Sequence, residues 1–135
     1  MDQPEAVVKG NAMLWTGYAL TGIVVLFLLM DAGMKLAEAR PAVEATAQLG
    51  FDPGLVRTLG VLLLVCTLLY AFPATSVLGA VLLTAYLGGA VAIHVQHKSP
   101  LFTHVLFGVY LGLFVWGGLF LRMASLRALF PIARG

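Results

Sequence analysis

The sequence predicts an all-α membrane protein, a four-helix transmembrane bundle with a short amphipathic helix in its first loop. Three observations predict it. The chain is 61% hydrophobic and 10% charged, where soluble domains run at roughly 45–50% and about 25%. Its charges are absent from residues 10–30, 58–97 (histidine counted neutral) and 99–121. Those blocks are apolar on all sides and do not alternate, which favours helices over barrel strands. Eight basic and six acidic residues cannot cover a soluble surface on a chain of 135 residues, which forms a single domain, 1–135. The apolar content, the lack of a glycine period and the single Cys66 exclude disorder, collagen and disulfide scaffolds.

The elements follow in order. A helix crosses about 30 Å of hydrocarbon in roughly 20 residues. The first charge-free block is one span, about 11–34. The middle block is forty residues long and suits two spans, about 55–72 and 76–95. Pro73 separates them, because proline lacks an amide donor and disfavours helix at the residue before it. Thr75 or Ser76 can cap the helix that follows. The last block is the fourth span, about 101–122.

The one sizeable loop runs from Lys35 to Arg57. Within it PAVEATAQLG, residues 41–50, reads as a short helix along the membrane surface, with Pro41 early and Gly50 as its stop. A plain loop is the alternative. The start makes a poor secretory signal, since Asp2 and Glu5 precede Lys9 and the apolar block is too long. The first helix is therefore expected to stay as an anchor. Trp15, Tyr18, Tyr70, Phe72, Phe102, Trp116 and Phe120 fall mostly near span ends, where an interfacial aromatic belt sits. Charge does not orient the chain: Lys9, Arg122, Arg127 and Arg134 on one side balance Lys35, Arg40, Arg57 and Lys98 on the other.

Lipid is as apolar as leucine, so membrane helices associate through small residues and polar contacts. Ala80, Thr84, Gly88 and Ala92 make the strongest small-residue stripe, with Gly89 beside them. The fourth span carries Gly108, Gly112, Gly117 and Gly118, and the first carries Gly17, Thr21 and Gly22. Packing within the chain is the first expectation for these faces, and a homo-oligomer the second.

Charges at membrane depth are costly, which singles out Asp31 and Lys35. They are one helical turn apart and can meet on one face. One reading is an interfacial ion pair with Lys35 snorkelling. The other has Asp31 facing the bundle as a proton carrier or a partner for a bound head group. His94, His97 and His104 form the second candidate set. Three imidazoles at one membrane edge can be ordinary interfacial polarity, bind a metal, titrate near neutral pH or bond a quinone carbonyl. With no adjacent acidic or thiol ligand, no metal site is assigned, and bis-histidine haem is disfavoured because the first two spans hold no histidine. Tyr86, deep in the third span, needs a partner for its hydroxyl. Thr67 and Thr84 can bond their own helix backbones, and Cys66 reads as a small apolar residue. No phosphate loop, dinucleotide fingerprint or hydrolase elbow occurs, and a net charge of +2 with no basic face excludes nucleic acid.

Three segments carry a resemblance: DAGMKL (31–36), LLYAFPATSVLGAVLLTAYLGGAVAIHV (68–95) and HVLFGVYLGLFVWGGLFLRMASLRALFP (104–131). They resemble the DoxX-like family of small bacterial membrane proteins. LTAYLGGAVAIHV (83–95) is the most specific part, with tyrosine, paired glycines and histidine in the family's order. The resemblance implies a multi-pass four-helix bundle in the bacterial inner membrane with cytoplasmic termini. The wider family is named for a subunit of a thiosulfate:quinone oxidoreductase, and some relatives associate with oxidative-stress enzymes. Members of the family often show a glutamate near the position occupied here by Leu63, and an arginine after the proline where this chain has Ala74.

The leading expectation is a non-catalytic component in the lipid bilayer. It binds a small apolar or quinone-like ligand, or docks a redox-enzyme partner, through Asp31, Lys35, Tyr86, His94 and His104. No cofactor is expected to be intrinsic; a quinone is the candidate. The alternatives are a membrane subunit of a quinone-linked oxidoreductase, and a small transporter or channel subunit, for which polar groups at depth are too few.

Overall fold

The computed structural model describes residues 3–100, 102–103, 106–129 and 132–133, with the backbone alone for 3–9 and Pro53. Among them, six α-helices follow in order: α1 (Gln3–Leu36), α2 (Arg40–Gln48), α3 (Val56–Ala71), α4 (Ser76–Gln96), α5 (Phe107–Arg122) and α6 (Ala124–Leu129). No strand occurs among the described residues. Helix α1 packs against α3 and α5, and α4 packs against the same two on the far side. Among the described residues, the diagonal pairs α1–α4 and α3–α5 do not approach at backbone distance.

Helices α3 and α4 turn seams of alternating three- and four-residue steps inward, the spacing that packs helices at shallow angles. On α3 the buried seam is Val56, Gly60, Leu63, Thr67 and Tyr70. On α4 it is Ser76, Ala80, Leu83 and Leu87, with Gly79 alongside. Val24, Leu28 and Ala32 supply α1, and Val115 and Leu119 supply α5. Glycines set the closest approaches. A Cβ on Gly17 would stand 2.9 Å from the Gly118 carbonyl across α1–α5, and one on Gly60 would stand 2.9 Å from Lys35 Cβ across α1–α3. Gly79 rests on the backbone of Tyr70, and Gly108 on Leu87 and Val91.

The outward faces are as apolar as the seams. Leu26 is 70% exposed and Leu113 65%, and α3 and α4 expose Leu62, Val65, Leu78 and Val81. The segments Gly10–Leu36 and Pro73–Gln96 are long and apolar enough to cross a membrane, yet only 17% and 28% of their most apolar windows are buried. A soluble core helix would be mostly covered; these faces need an apolar solvent. Helices α3 and α5 are shorter, at 16 residues each, or about 24 Å.

Two sequence expectations change in detail. Helix α5 is described from Phe107, with 102–103 in a π-helical turn ahead of it, and the expected start at 101 lies outside the described residues. Lys98, at φ 52°, turns the chain after the end of α4. The small-residue stripe divides: Ala80 is in the core, whereas Gly88 faces outward with nothing within 4 Å of its Cβ position. Tyr70, expected in an aromatic belt, is fully buried. The short helix in the first loop forms with Pro41 in its first turn, and Gly50 follows its end at φ 88°.

Candidate functional site

Helix α2 lies over one end of the packed helices and roofs a cavity of about 840 Å³. The cavity is set between the C-terminal ends of α1 and α4 and the start of α5. Its roof is the inner face of α2, with Ala42, Ala45, Thr46 and Leu49. The opposite face of α2 carries the exposed Arg40–Glu44 ion pair at 3.1 Å. Gly50 brings the roof down onto α4's end, where the His97 ring would stand 3.3 Å from a Cβ at that glycine.

Asp31, Lys35, Tyr86 and His94 all line this one cavity, as does His97. Lys35 Nζ donates to Asp31 Oδ1 at 2.6 Å, and the Lys35 side chain is 16% exposed against 35% for Asp31. The spacing of four residues therefore yields an ion pair at the cavity wall. His94 Nδ1 and the Ser99 hydroxyl share a hydrogen bond of 3.0 Å, which fixes the ring at the end of α4. The Tyr86 hydroxyl makes no hydrogen bond among the described residues, and no buried side-chain polar atom there lacks one. Its oxygen must therefore keep open surface, and the space beside it is the cavity. His104 lies outside the described residues.

The remaining wall is apolar. Phe27 and Phe107 meet edge to face at 5.3 Å, and Leu28, Leu87 and Leu111 complete that side. Leu63 is fully buried in the core below, and Ala74 is exposed in the α3–α4 turn. Among the described residues no three His, Cys, Asp or Glu side chains gather to hold a metal ion.

Sequence reasoning missed two features. The roof residues of α2 and Ser99 join the site through the chain's path over the helix ends, which no local pattern announces. A polar knot at the opposite end draws one residue from each long helix: Thr21, Tyr70, Ser76 and Arg122. Its only sequence signal was three hydroxyls and an arginine bordering charge-free blocks. A second, open apolar groove of about 670 Å³ runs between α4 and α5 past Gly88, Gly112 and Trp116. There Trp116 Nε1 donates to Thr84 Oγ1 at 2.7 Å, while Thr84 donates to the Ala80 carbonyl as expected for a hydroxyl in an apolar helix.

Apolar outer faces, inward polar groups and helices alone among the described residues define a helical membrane protein. The model of the DoxX-like family matches residues 19–118, and the chain belongs to that family. No curated protein and no solved structure matches it.

Proposed function

We propose that this is a four-span, multi-pass protein of the bacterial inner membrane, both termini cytoplasmic, that binds one small, largely apolar molecule with a polar head. The site is the cavity beneath α2, and the ligand class is quinone-like. One observation carries the reading: the Tyr86 hydroxyl, without a hydrogen bond among the described residues, opens into the cavity that Asp31, Lys35 and His94 also line. The cavity's roughly 840 Å³ lies within the range of small-molecule sites. Its chemistry is divided as such a ligand requires. Phe27, Leu87 and Phe107 accept a ring or chain, while the Tyr86 O–H and the Lys35 ammonium can donate to a carbonyl oxygen. The short α3 and α5 are accommodated by local bilayer thinning and by snorkelling of flanking residues. The DoxX-like membership supports the membrane setting.

Binding of a short-chain ubiquinone analogue to the detergent-solubilised protein, followed by calorimetry, tests the reading. Saturable binding that weakens in Asp31→Ala and His94→Ala supports it. Absence of binding in the parent protein, or affinity unchanged in both variants, removes the proposed site.

A further inference from the structure

The polar knot at the end opposite the cavity holds a cation with no carboxylate beside it among the described residues. Arg122 Nε donates to Thr21 Oγ1 at 3.1 Å, and Nη2 reaches Ser76 Oγ at 3.5 Å. The hydrogen-bond directions are determined. The single hydroxyl proton of Tyr70 goes to the Val115 carbonyl at 2.7 Å. Thr21 must therefore donate to Tyr70 across 3.3 Å and accept from Arg122. Every hydrogen-bond partner of the guanidinium is thus a neutral acceptor, and Nη1 donates to no acceptor among the described residues. The rings of Tyr18 and Tyr70 lie 5.7 and 5.9 Å from the guanidinium carbon, which steadies the charge without neutralising it.

A second guanidinium stands at the same helix end. Arg127 on α6 turns back so that Nη1 donates to the Phe120 and Leu121 carbonyls at 2.7 and 3.1 Å. Among the described residues no carboxylate lies within ion-pair distance of either arginine. Asp31, Glu38, Glu44 and Asp52 all belong to the opposite end. The acidic residue on α1 toward this end, Glu5, is twelve residues from Gly17, or about 18 Å along the helix. Trp15, 71% exposed beside Tyr18, places an interfacial aromatic at this end.

A half-buried cation at the end of a helix is favoured by an anion beside it, and arginine's fork matches phosphate oxygens. We infer that Arg122 and Arg127 form a binding site for the phosphate of an anionic phospholipid head group. Thr21 and Ser76 orient Arg122 from below, and its outer N–H groups meet the phosphate. The inference rests on the membrane setting proposed above and not on the cavity. With cytoplasmic termini, the lipid belongs to the inner leaflet, where anionic lipids attract basic residues.

The test compares phosphatidylglycerol with phosphatidylcholine in mixed micelles with the full-length protein, by native mass spectrometry and thermal unfolding. The expected result is retention of, and stabilisation by, phosphatidylglycerol over phosphatidylcholine. Loss of one basic group is expected to weaken that binding about fivefold in Arg122→Gln and in Arg127→Gln. Arg127→Gln leaves the Thr21–Tyr70–Ser76 knot intact, so it remains informative if Arg122→Gln does not fold. Equal retention of the two lipids by the parent protein overturns the inference, as does a preference that persists in Arg127→Gln. Equal stabilisation by inorganic phosphate in plain detergent would point to a soluble anion and overturn the lipid assignment. Quinone-analogue binding, measured alongside, reports separately on the cavity.

Discussion

Tyr70 joins two helices whose backbones stay apart: its hydroxyl on α3 donates to the Val115 carbonyl on α5 at 2.7 Å, across the diagonal of the helix ring. The bond is buried and also anchors Thr21, so it ties three helices at one point. Tyr70→Phe keeps the ring and removes the bond. Net hydrogen bonds contribute about 1 kcal/mol in water-soluble proteins and about 0.6 kcal/mol between membrane helices. Unfolding in detergent should therefore show a loss of about 0.6–1 kcal/mol, and an unchanged midpoint would contradict this role.

Gly79 and Gly88 sit on the same helix and predict opposite outcomes. At Gly79 an added methyl meets the Tyr70 backbone, which cannot rotate away as a side chain does. Gly79→Ala should cost about 3 kcal/mol or more, at the upper end for overpacking. Gly88 has nothing within 4 Å of its Cβ position. Gly88→Ala should be neutral, or stabilise by up to about 1 kcal/mol through helix propensity. Paired thermal unfolding curves distinguish the two.

Gly50, at φ 88°, holds the link between α2 and α3 in a left-handed conformation beside His97. An L side chain there costs about 1–2 kcal/mol. Gly50→Ala should loosen the roof without unfolding the chain. Hydrogen exchange should accelerate over residues 40–48 and stay unchanged in α4.

Tyr86→Phe separates binding from folding. Its hydroxyl has no hydrogen bond to lose among the described residues, so thermal stability should hold. A lost ligand hydrogen bond of about 1 kcal/mol predicts quinone-analogue affinity about fivefold weaker. Equal affinity in the variant would exclude the hydroxyl from the site.

Much of this was legible along the chain. The break at Pro73 follows from proline chemistry, and Pro41 and Gly50 bracket α2 for similar local reasons. The expected cap on α4 does not form, because the Thr75 and Ser76 hydroxyls donate back to the Leu69, Tyr70 and Phe72 carbonyls. The Asp31–Lys35 pair follows from helical spacing. What misled was orientation. The stripe Ala80–Thr84–Gly88–Ala92 looked like the packing face of α4, yet the tight contact is made by Gly79, next to it. Tyr70 looked interfacial because aromatic residues near span ends usually are, whereas Thr21 and Val115 supply the partners that let it be buried.

Composition and the placement of charge alone determined that these helices meet lipid and where they break, because both follow from the transfer cost of charged groups and the backbone chemistry of proline and glycine. Which way each helix faces was decided only in three dimensions. A helix apolar all round has no polar side to turn outward, so close backbone approach at glycines and a few cross-helix hydrogen bonds set its rotation. The same rotation gathered Asp31, Lys35, Tyr86 and His94 around one cavity and left Arg122 at the other end without a carboxylate among the described residues.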